Sequence, residues 1–146
     1  MTKKVAINDQ HGGFGLSLKA LDLVAELKGH GRLHHYAMMS YEDRIYHKIT
    51  TEKGDEEFHL NRFTFIENVG ESFPEDDLVG HYERFDYNLE CERHDKDLIK
   101  VIETLGSEAN GRYARLKIIE IPKEVDYQIE DFDGREWVAE EHRTWS

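Results

Sequence analysis

The most suggestive chemistry in the 146-residue chain lies at Gly12-Gly13-Phe14-Gly15, just before Ser17, where a run of apolar periodicity begins. A helix start leaves backbone N–H groups open, and glycines let a ligand come close to them, so such a loop suits phosphate or another anion. The spacing is neither a dinucleotide fingerprint nor a phosphate loop, because no lysine follows into the helix. The plainer reading is a tight turn with Phe14 plugging the core. Arg93 stands before the second helical pattern, Arg112 follows the Asn110-Gly111 turn, and Arg32 follows the first helix. A guanidinium beside such a turn can clamp phosphate or carboxylate in a planar fork. Taken alone, each arginine is more simply a salt-bridge partner for one of the 31 carboxylates. Phe14 and Tyr113 could stack on a ring. The candidate ligand-binding set is therefore Gly12, Gly13, Phe14, Gly15, Ser17, Arg93, Asn110, Arg112 and Tyr113.

Other chemistries find less support. Nine histidines invite a metal reading, with His30, His34 and His35 close together and His47 and His59 able to meet across a hairpin. No His-Glu-x-x-His pattern is present, and Glu140-Glu141-His142 lacks a second histidine, so no metal site is expected. Cys91 with His94 could form a nucleophile pair, yet a small buried thiol at a strand end is the commoner outcome. Ser17 lacks the glycine-flanked strand-turn-helix setting of a nucleophile elbow. No catalytic residue and no cofactor are assigned.

The elements that must position these residues follow from pattern. Lys4–Asn8 reads as a strand with Val5 and Ile7 on one face. Ser17 caps a helix running to Lys28, with Leu18, Leu21, Ala25 and Leu27 or Lys28 as its stripe, and Gly29 ends it. Residues 30–89 are harder to read. Ile45–Thr50 and the Phe58–Ile66 region suggest a hairpin turning at Lys53-Gly54-Asp55, Asn68–Gly80 reads as a loop, and Tyr82–Leu89 as an extended segment. Asp95 caps a helix over Lys96–Leu105 that Gly106 terminates. Tyr113–Ile121 is a strand whose face changes near Ile118-Ile119, marking a bulge or burial on both sides. Val125–Ile129 and Glu136–Ala139 flank the Asp133-Gly134 turn and complete a small antiparallel meander.

These elements make an α+β fold: a small antiparallel or mixed sheet packed by two main helices. The expected organisation is one domain over 1–146, with 30–89 as a variable insertion or lid. A formal charge of −12 argues against general nucleic-acid binding, which needs clustered Lys and Arg. Met1–Ile7 meets Asn8-Asp9-Gln10 at once, and no apolar run suits a signal peptide or membrane span. One cysteine permits no intrachain disulfide, and a cytoplasmic setting is expected. Ten aromatic residues between Tyr36 and Tyr87 exceed what a small monomer buries easily, so a homo-oligomer is expected.

Three stretches carry a resemblance: Ile7–Ser17; Arg93-His94-Asp95 through Leu105-Gly106; and Glu108–Gly111 through Pro122 to Trp137 and His142–Trp145. Together they resemble a family of small proteins encoded by tailed bacteriophages and prophages, over about half the chain. The resemblance implies an accessory role in a bacterial host cytoplasm, with anti-defence and structural roles both open, and no activity transfers with it. The expected function is non-catalytic capture of a small phosphorylated or nucleotide-like ligand. The alternatives are an acidic protein-interaction inhibitor of a host enzyme, a structural phage protein, and a nucleotide-processing enzyme using the same pocket.

Overall fold

The first strand, β1 (Thr2–Asn8), is buried on both faces from Val5 to Asn8, rather than on the Val5–Ile7 face alone. The reason lies in its neighbours, since a helix and a hairpin strand both pack against it. The computed structural model describes residues 1–38, 42, 44–49, 61–74, 84–86 and 91–140. Within them the chain is sheet-rich α+β, with eight strands in antiparallel sheets. Contacts divide it into two units, residues 1–20 with 91–146, and residues 21–90. In sequence the second unit is inserted into the first.

In the first unit, β1 pairs with β6 (Leu116–Pro122) in unbroken register from Thr2↔Pro122 to Asn8↔Leu116. The register contains no bulge, so the change of face at Ile118-Ile119 reflects partial burial on both sides. The expected meander is corrected: β6 joins the N-terminal strand, while β7 (Tyr127–Phe132) and β8 (Arg135–Glu140) form a separate hairpin. Asp133 and Gly134 both take positive φ, 51° and 87°, as a two-residue hairpin turn with right-handed strand twist requires. Helix α2 (Lys96–Leu105) buries Leu98, Ile99, Val101 and Ile102. The Asp95 carboxylate accepts from the N–H groups of Asp97 and Leu98, and Gly106 ends the helix at φ 60°. A 3-10 turn over Gly106–Ala109 follows.

Helix α1 (Leu18–Leu27) is capped by Ser17, whose Oγ accepts from Ala20 N–H at 3.1 Å. It ends with Gly29 N–H donating to Glu26 O and His30 N–H to Ala25 O, the paired bonds of a Schellman cap. Leu27 is exposed, so the buried stripe runs through Leu18, Val24 and Ala25.

The second unit carries a four-stranded sheet ordered β4 (Asn61–Phe65), β2 (His34–Met38), β3 (Ile45–Ile49) and β5 (Ser72–Pro74). The hairpin expected between Ile45–Thr50 and Phe58–Ile66 is not formed: β2 lies between β3 and β4. Burial is consistent with this, because Tyr36, Ala37 and Met38 are buried on consecutive positions, as in a central strand with both edges paired and both faces covered. Tyr36, Tyr46, Phe65 and Phe73 form a buried aromatic cluster, and Phe63 packs against it. The 68–80 region, read as a loop, contributes β5 at the sheet edge, where Pro74 is tolerated. The turn at 53–55 and the aromatics Tyr41, Phe58, Tyr82 and Tyr87 lie outside the described residues.

Candidate functional site

The glycine loop is organised by close backbone packing. A Cβ on Gly12 would lie 2.5 Å from the Tyr113 carbonyl oxygen, and one on Gly134 would lie 2.7 Å from Gly12 N. Gly111 N–H donates to Gly15 O at 2.9 Å, and Leu16 bridges Asn110. The loop, the 110–113 turn and the hairpin tip therefore touch backbone to backbone at Gly12, Gly111 and Gly134, where a side chain would intrude, while Gly13 and Gly15 have room for one.

The other expected ligand groups have protein partners. Ser17 donates its hydroxyl to Glu108 O at 2.6 Å and its N–H to Ala109 O at 2.9 Å. Asn110 Oδ1 accepts from Leu116 N–H at 2.9 Å. Arg93 forms a two-pronged pair with Glu136, at 2.7 and 2.9 Å, and donates to Ala6 O. Its guanidinium lies 3.7 Å from the centre of the Phe14 ring. Arg112 lies over the Tyr113 ring at 5.7 Å, and Tyr113 is exposed. The structure thus joins Arg93 to Phe14 and Arg112 to Tyr113, as two separate stacks.

Asn8, to which the sequence assigns only a strand end, ties this region together. It is fully buried, donating from Nδ2 to Gln10 O at 2.6 Å and Gly134 O at 2.8 Å. Its Oδ1 accepts from Arg115 N–H, and its own N–H donates to Glu136 Oε1, each at 2.8 Å.

Against this framework stands a groove of about 580 Å³. Ile7, Ile119 and Val138 supply apolar surface, with Phe132 and Trp137 as aromatic walls. Asp9, His11, Lys117, Arg135 and Glu136 are its polar groups. Register accounts for the β1–β6 wall: Ile7 is directly opposite Lys117, and Asp9 and Ile119 lie two residues along on the same face. Glu136 is committed to Arg93, and Asp9 is flanked by Arg115 at 3.4 Å and Arg135 at 3.5 Å. Lys117 has no ion-pair partner among the described residues. At the rim, His11 Nδ1 lies 3.3 Å from Asp133 O, and Trp137 Nε1 donates to Glu130 at 3.0 Å.

None of the nine expected ligand residues lines this groove. Its lining residues carried a faint signal: alternation in β6 sets Lys117 on the face of Ile119, and alternation in β8 leaves Trp137 half-exposed. What could not be read was that β6 would pair with β1, which brings Lys117 beside Ile7. Among the described residues no three His, Cys, Asp or Glu side chains converge on a metal-sized site, and no helix is long and apolar enough to cross a membrane. Comparison with family models, curated proteins and solved structures finds no match to this chain.

Proposed function

We propose that the protein captures a small nucleotide-like ligand in the Ile7–Trp137 groove and holds it without chemistry. The observation that carries this reading is the groove itself. Its volume lies in the range of small-molecule sites, and its lining combines five apolar or aromatic side chains with five polar ones. A planar base would lie against Trp137 and Phe132, and a phosphate would take Lys117 and Arg135. The two carboxylates in the lining, Asp9 and Glu136, are balanced by Arg115 and Arg93, which leaves Lys117, and Arg135 beyond its Nε contact with Asp9, to offer charge to an anion. The nine-residue set then has a supporting role, with Arg93 and Phe14 fixing Glu136 and the glycine contacts fixing the hairpin.

The resemblance to phage-encoded proteins supplies a setting for this reading, a host cytoplasm where sequestering a phosphorylated signal would be an accessory, anti-defence task. The test is calorimetric titration with adenosine monophosphate, with inorganic phosphate as the comparison. Lys117→Ala should weaken binding about tenfold or more, the worth of one charge-assisted hydrogen bond. Equal affinity in wild type and Lys117→Ala would remove the groove from the binding account.

A further inference from the structure

Asp22, His35 and Thr64 form a second centre, within residues 21–90. His35 is 4% exposed, with Nε2 2.6 Å from Asp22 Oδ1 and Nδ1 2.8 Å from Thr64 Oγ1. In the neutral ring the partners select one tautomer. A carboxylate only accepts, so Nε2 carries the proton and donates to Asp22; Nδ1 then holds a lone pair to which the Thr64 hydroxyl donates. An imidazole aligned by a carboxylate and bonded to a hydroxyl is the arrangement that activates an oxygen nucleophile.

Three elements build it. His35 on β2 and Thr64 on β4 are direct cross-strand partners, so sheet register fixes their separation. Helix α1 supplies Asp22. The base is shielded, Thr64 is partly buried, and the Asp22 side chain is 35% exposed.

We propose that Thr64 is an acyl acceptor, activated by His35 and reactive toward small activated esters, with Asp22 as the positioning residue. The Thr64 oxygen attacks the ester carbonyl carbon as its proton passes to His35 Nδ1. The tetrahedral adduct collapses, breaking the bond to the leaving oxygen, which takes that proton from His35. Water, deprotonated by His35, later cleaves the acyl-threonine and restores the hydroxyl. General-base assistance supplies about 10²–10⁴-fold to each step. An activated ester carries a far better leaving group than the threonine alkoxide, so acylation outruns hydrolysis and acyl-threonine should accumulate, one per chain.

The experiment treats the full chain with p-nitrophenyl acetate, follows nitrophenolate release and locates the acetyl group by peptide mass spectrometry. The expected result is a stoichiometric burst with acetyl on Thr64, retained in Thr64→Ser and lost in Thr64→Val. Asp22→Asn should slow the burst by about 10²-fold or more, because an amide can donate to Nε2 and turn the ring to the wrong tautomer. Circular dichroism checks that this near-isosteric variant is folded; if it is not, the wild-type, Ser and Val comparison decides. Acetyl confined to lysines, or a burst that a folded Asp22→Asn leaves unchanged, would overturn the proposal.

Discussion

Asn8 shows how much of the first unit rests on single side chains. Its amide donates to two carbonyls and accepts from one N–H, so the near-isosteric Asn8→Asp would replace the shared donor with a carboxylate oxygen facing both Gln10 O and Gly134 O. Orphaning buried groups costs about 1–3 kcal/mol each. Asn8→Asp should therefore destabilise by about 3 kcal/mol in urea denaturation, with part of the loss recovered at acid pH as the carboxyl protonates. Arg93 permits a sharper comparison. Arg93→Lys loses the fork on Glu136 and the planar stack on Phe14, and should cost about 1–2 kcal/mol. A direct ligand clamp would instead lose binding with the melting temperature unchanged. His34 contributes a pH dependence. Burial, then the charges of Lys48 and Arg32, hold its pKa below the ordinary 6.5. The unfolded chain thus takes up a proton more readily, so this contribution is full above about pH 6.5 and lost as pH falls below it. His34→Gln should flatten the decline in melting temperature between pH 7 and 5.

At the scale of elements, legibility followed locality. Helix α2 was readable in full, from the Asp95 cap to Gly106, because caps and apolar spacing are local properties. The Ser17 cap and the Asp133-Gly134 turn were readable for the same reason. Strand partners were not. Nothing near β6 in sequence says that it pairs with β1, and that pairing creates the groove wall. Likewise, Ile45–Thr50 and Phe58–Ile66 look like two arms of a hairpin, yet β2 pairs with a strand from each and lies between them, a long-range arrangement that no local signal announces. The glycines around 12–15 were visible, but their use was not. A Gly134→Ala change would drive a methyl into Gly12 and strain a positive φ, and should cost more than 2 kcal/mol, read from the shift in thermal midpoint.

For the whole molecule, net charge and the groove pull in different directions. A chain at −12 repels anions at long range, so the proposed capture would depend on short-range groups such as Lys117 and Arg135, and raising salt should weaken affinity only modestly. An acidic inhibitor of a host enzyme would instead lose its complex steeply with salt. Self-association is an independent proposal that light scattering tests. The central claim, ligand capture in the groove, is tested most directly by native mass spectrometry of protein purified from bacterial lysate, with release and identification of whatever it carries. One intact phosphorylated small molecule per chain is expected, reduced or absent in Lys117→Ala. A wild-type protein that emerges empty and stays empty on adding adenosine monophosphate would contradict it.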